Sequence, residues 1–154
     1  MPSTDTTTIA KEVEGVYVDF VKAVLSRDLD WLENNLADDF MLAIPSAGPD
    51  AAIGKQDYIT QVRVLKGADI ELREMNVQSR GEWATLQFTA DIMEELADSS
   101  ELDAEAIKVR ERSQVESFKE MLSTKTECYY TGVLRRRGDG WEVVLHSFFG
   151  PLDD

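Results

Sequence analysis

GVLRRRGDGWEVVLHSFF, residues 132–149, is the stretch on which the fold turns. Gly138, Asp139 and Gly140 tolerate the backbone of a tight hairpin loop, and the flanking residues suit extended pairing. The spacing predicts an antiparallel pair, Thr124 to Arg137 and Trp141 to Phe149. The same pattern recurs upstream. Ile70, Leu72, Met75 and Val77 alternate with one irregular step, Arg80-Gly81-Glu82 turns the chain, and Trp83, Thr85, Leu86, Phe88 and Ala90 return. Two long hairpins need an apolar face covered, and the N-terminal third carries the cover.

From Ile9 to about Leu25 the apolar residues Ile9, Val13, Val16, Tyr17, Phe20, Val21, Val24 and Leu25 recur every three or four positions, the mark of a helix with one buried face. A short helix follows from Asp28 or Leu29 through Leu36, with Asp28 as its cap and Trp31, Leu32 and Leu36 as its stripe. Phe40 to Ile44 reads as a strand, and Pro45, Ser46, Gly48 and Pro49 as a loop. Lys55 to Leu65 forms a third helix through Tyr58, Ile59, Val62 and Leu65. Between Glu94 and Lys119 the chain is strongly charged and reads as a loop plus helix inserted between strands. The expected class is therefore α+β. A flexible arm spans 1–8, the domain 9–150 with its insertion at about 97–121, and a tail 151–154.

With 154 residues, 43% hydrophobic and 30% charged, the chain fits one globular domain. Sixteen basic against thirty acidic residues give a net charge of −14, which opposes contact with nucleic acid or anionic lipid. One cysteine and one histidine exclude an internal disulfide and a Cys/His zinc cluster. No dinucleotide fingerprint, phosphate loop, HExxH, CxxC or GxSxG is present, so neither a metal nor a cofactor is expected. No basic, apolar leader opens the chain and no run approaches the roughly 20 apolar residues of a membrane span, so a cytoplasmic protein is expected.

The opening helix, the segment WLENNLADDFMLAIPSAGPDAAIGKQDYI (31–59) and the closing hairpin resemble the nuclear transport factor two-like superfamily, and within it the SnoaL-like and ketosteroid-isomerase-like domains. The resemblance runs from Ile9 to Phe149. It implies a strongly curved, mostly antiparallel sheet closed into a cone by the three N-terminal helices, an apolar cavity, and pairing into a homodimer through the sheets. It does not fix the chemistry, because the superfamily holds isomerases, dehydratases, cyclases, hydrolases and noncatalytic domains. Three roles stand open for the charged insertion: a lid on the cavity, a reshaped dimer surface, or a solvated helix.

His146 is the one side chain whose ordinary pKa lies near neutrality, which suits a general acid or base. Alternation places Glu142, Val144, His146 and Phe148 on one strand face and Trp141, Val143, Leu145, Ser147 and Phe149 on the other. Both faces are largely apolar, so the inward one is left open. Asp38 and Asp39 read as an acidic turn, whereas the resemblance implies that Asp39 shuttles a proton. Tyr17 reads as packed core, and the resemblance gives a first-helix tyrosine the role of oxyanion donor. Trp31, Tyr58, Trp83, Tyr130 and Phe148 are the candidate pocket walls. Cys128 reads as a small buried hydrophobe, and Arg135, Arg136 and Arg137 as a solvated strand end. Two functions follow. One is a domain that binds a small hydrophobic organic ligand and performs acid/base isomerisation, cyclisation or dehydration with His146, Asp39 and Tyr17. The other is a noncatalytic dimerisation or protein-interaction module.

Overall fold

The apolar stripe of the first segment folds as helix α1 (Thr6–Ser26), which buries Ile9, Val13, Tyr17, Phe20 and Val24. The computed structural model describes residues 6–43, 52–113 and 126–149. The expected loop at Pro45–Pro49, the rest of the insertion beyond 113 and the tail lie outside the described residues, while Thr6–Thr8 of the expected arm are helical. Helix α1 stops where Arg27 takes a positive φ of 54° and the Asp28 N–H donates back to the Ala23 carbonyl at 2.8 Å. Asp28 then caps α2 (Leu29–Asn35), its side chain accepting from the Trp31 N–H at 3.1 Å. Strand β1 (Leu36–Ala43), the two-residue β2 (Ile53–Gly54) and helix α3 (Lys55–Arg63) follow.

The two hairpins are β3 (Leu65–Arg80) with β4 (Trp83–Leu96), and β5 (Thr126–Arg137) with β6 (Gly140–Phe149). Helix α4 (Ala104–Ser113) sits between them in sequence, within the charged insertion, and packs on α3. Asp103 starts it by accepting from the Ala106 N–H at 2.9 Å. The irregular step in β3 is a bulge. Arg73 pairs with Thr89 and Asn76 with Gln87, and Glu74 has a φ of 54°.

The α+β class holds, and the closed cone does not form. One sheet runs in the order β2-β1-β6-β5-β4-β3, with β1 parallel to β6 and every other pair antiparallel. It is an open sheet, neither closed into a barrel nor strongly curled. Its two edges are unlike: β2 offers two residues, paired to Met41 and Leu42, while β3 offers sixteen. No register joins them, so there is no ladder by which the sheet could close. The core instead lies between one sheet face, built from Ala84, Leu86, Phe88, Ala90 and Ile92 of β4 with Cys128, Tyr130 and Leu134 of β5, and the helices above it. Met41, Trp83 and Tyr129 stand on the opposite face, where they are exposed.

Candidate active site

Strand β6 delivers His146 to the core face by a device that strict alternation cannot show. Val133 pairs with Leu145 but Leu134 pairs with Val143, so Val144 is an extra residue bulged out of the ladder. Val143, fully buried, and His146 therefore share the inner face despite their opposite parity. Helix α1 meets this strand twice. Trp141 Nε1 donates to Glu12 Oε2 at 3.2 Å, and Tyr17 Oη lies 3.2 Å from His146 Nδ1. Gly132, the cross-strand partner of His146, makes that approach possible. A Cβ there would fall 1.9 Å from Tyr17 Oη.

Aromatic rings surround the pair. Tyr130 stacks on His146 at 5.2 Å and on Phe88 at 4.9 Å, and Phe20 packs 5.2 Å from the imidazole. These residues line a cavity of about 90 Å³ between α1, α3 and the sheet. Ile70, Leu72, Ile92 and Val62 make its walls apolar. Its polar groups are Tyr17, Tyr58, Gln61, Tyr130, His146, Glu94 and Arg110. The Arg110 side chain is buried, and its Nη1 donates to the Ala97 carbonyl.

Burial dominates the electrostatics. It pulls the His146 imidazole down to about 4, so the ring is neutral at pH 7. Burial, with Tyr58 adding to it, pushes the Tyr17 phenol well above the ordinary tyrosine range. Proton placement between the two is then a matter of tautomer. With the ring proton on Nε2, the phenol donates to Nδ1 and an N–H is left for a ligand; with it on Nδ1, that N–H donates to the phenol oxygen. Burial also pushes the Glu94 carboxyl up to about 7.

No protein-family model and no curated protein sequence matches the chain, but solved structures do. It is similar to a candidate dehydratase of the NTF2-like family from Streptomyces avermitilis, at 16% identity and a TM-score of 0.67, over 96% of this chain and 99% of that one. The fold is NTF2-like. A candidate Ca/calmodulin-dependent kinase II association domain from Exiguobacterium sibiricum superposes on this chain with a TM-score of 0.69 at 11% identity, over 100% and 98% of the two chains. A candidate ketosteroid isomerase from Shewanella frigidimarina does so with 0.58 at 13% identity, over 87% and 91%.

Of the residues singled out in the sequence, this NTF2-like fold brings His146, Tyr17, Tyr58 and Tyr130 together around one cavity. Asp39 is elsewhere. It stands exposed on the far sheet face, where Arg135 donates to both its oxygens at 3.0 and 3.1 Å. Those bonds hold its carboxyl below the usual range, the reverse of what a proton shuttle near neutrality needs. Trp83 shares that outer cluster, with the Arg135 guanidinium 5.7 Å from its ring, and is 47% exposed. Trp31 stacks on Phe20 at 5.9 Å, behind the cavity wall. Phe148 pairs with Tyr130 through the backbone, and its side chain lies outside the described residues. Cys128 is buried in the core, which raises its thiol to about 11. Among the described residues no three His, Cys, Asp or Glu side chains cluster as metal ligands.

Sequence reasoning passed over Glu94, Gly132 and Arg110. A signal for Glu94 was present: the even positions from Ala84 to Ile92 of β4 are all core, and Glu94 continues that parity.

Proposed function

We propose that this protein binds a small, largely apolar organic molecule in the cavity and performs acid/base proton transfer on it, as in isomerisation, cyclisation or dehydration. The observation that carries this is the Tyr17–His146 contact inside an aromatic chamber. In either tautomer this pair of neutral imidazole and un-ionised phenol leaves one hydrogen-bond donor free, and such a donor stabilises an oxygen as it gains charge. Such donors act strongly where the local dielectric is low. The relatives named for dehydratase and isomerase activity are consistent with this reading. A cytoplasmic setting accords with the lone buried thiol of Cys128.

The test uses cyclohex-3-en-1-one as a small enolisable probe in D₂O, with loss of its α-proton signals followed by NMR. Exchange faster than buffer, slowed at least tenfold by Tyr17→Phe, supports the proposal. Exchange at the buffer rate refutes it.

A second reading concerns association. Among the described residues the helices cover one sheet face, and on the other Met41 and Tyr129 are 46% and 38% exposed, with Val133 and Leu145 between them in register. We infer that this face pairs two copies of the chain. Sedimentation equilibrium of the wild type and of a Met41→Glu, Tyr129→Glu variant tests it, since a monomeric wild type would end the idea.

A further inference from the structure

We propose that Arg110 makes the cavity a site for small carboxylic acids, its guanidinium taking the carboxylate while the apolar walls take the rest of the molecule. This rests on the ligand-binding half of the reading above, needs none of its proton-transfer half, and names the class of ligand. Among the described residues that line the cavity, Arg110 carries the one permanent positive charge. The His146 imidazole, the other basic group there, is neutral at pH 7.

Helix α4 places the guanidinium. Ala106, Val109 and Arg110 are buried at three- and four-residue spacing, so the arginine stands on the inward face, where an aliphatic residue would pack without desolvating a charge. Its Nη1 donates to the carbonyl of Ala97, the residue after Leu96 at the end of β4. Leu96 pairs with Leu65 of β3 and both line the cavity, so the cation is held at that end of the chamber. The helix is pinned there from its N-terminal side. Arg63 of α3 donates to Asp103 at 3.0 Å, and Lys66 of β3 pairs with Glu101 at 3.1 Å. A fork fixed before the ligand arrives loses little freedom on binding. A guanidinium holds its N–H donors in one plane, and two of them match the two oxygens of a carboxylate. Val62, Ile70 and Leu72 suit the apolar body of such an acid. Glu94 lines the same cavity, and burial keeps most of its carboxyl protonated at pH 6, where it does not repel a second carboxylate. A chain of net charge −14 has no general attraction for anions, so a preference for an acid over its neutral amide has to arise at a local cation.

Phenylacetate and phenylacetamide, matched in size and differing in charge, decide it in NMR titrations at pH 6. The single histidine gives one imidazole signal, which reports occupancy because His146 lines the cavity. Phenylacetate is expected to bind the wild type about tenfold tighter than the amide or more, the range for a hydrogen bond between charged groups. In Arg110→Gln that preference should vanish with the affinity for the amide unchanged, and Arg110→Lys should keep part of it. A mere strut between α4 and β4 would behave otherwise. Equal weakening of both ligands in Arg110→Gln overturns the assignment, and so does a preference that survives there. With no variant at all, wild-type dissociation constants less than tenfold apart overturn it and leave the ligand-binding reading standing. An imidazole signal that neither compound moves overturns both.

Discussion

Replacing Gly132 by alanine puts the site's geometry to its hardest test. In β5 an added Cβ would lie 1.9 Å from Tyr17 Oη, 2.4 Å from Cζ and 2.6 Å from Cε2. The hydroxyl would have to retreat by about 1.5 Å to regain ordinary contact, and that retreat disturbs its 3.2 Å approach to His146 Nδ1. Tyr17 is fully buried, with Phe20 and Phe88 each 5.5 Å from its ring centre and His146 5.8 Å away. Overpacking of this kind costs about 1–3 kcal/mol, and loss of the Tyr17–His146 bond about 1 kcal/mol more. Urea unfolding should therefore show Gly132→Ala less stable by about 2–4 kcal/mol. The control is the same substitution on Tyr17→Leu, which lacks all three clashing atoms. There the sign should reverse, because alanine in a strand is favoured over glycine by about 0.5–1 kcal/mol. The His146 imidazole signal should move in the single variant. Equal costs in the two backgrounds would refute the close approach, whatever their size.

The remaining expectations concern charge. His146 should titrate near 4 by NMR, below its ordinary 6.5, because burial disfavours the cation. Its folded pKa is depressed, so the unfolded chain binds the extra proton first; its contribution is present above pH 6.5 and lost toward pH 4, on the order of 3 kcal/mol. A midpoint above 6 would contradict this. Glu94 runs the other way. Its folded pKa of about 7 exceeds the ordinary 4.5, so its cost to stability appears as pH rises through that window. Glu94→Gln should then gain up to about 3 kcal/mol over the wild type at pH 8 and nothing at pH 4, read from urea midpoints at both values. Asp39→Asn should alter probe exchange less than twofold, and a tenfold fall would return Asp39 to the reaction.

Much of the scaffold was legible because its causes are local. Apolar spacing set α1, the Asp28 side chain caps α2 as its position suggested, and the three-residue gap from Leu72 to Met75 is the β3 bulge. Gly81 and Gly138 each take a positive φ where the turns were expected. Sheet closure was not legible, since it depends on which strands meet at the edges, and a two-residue β2 cannot be seen in a period.

The site divides along the same line. Tyr17 and Tyr58 fall where helix periodicity puts them, on buried faces, so their convergence needed only the helices to dock. Asp39 misled because an acid before a strand says nothing about which face it will occupy, and Arg135, 96 residues away, decided that. His146 is the sharper case. Val143, Val144 and Leu145 are three similar apolar residues, and no local preference among them marks which one will be squeezed out of the ladder. The choice is made across the sheet, where Leu134 and Trp141 bury together and Gly132 leaves room for Tyr17. One residue of slippage turns a side chain from one face to the other. The bulge at Val144 lets β6 bury Trp141 and Val143 at one end and still point its histidine into the cavity, so the cavity's geometry depends on a break in the regularity from which the strand was read.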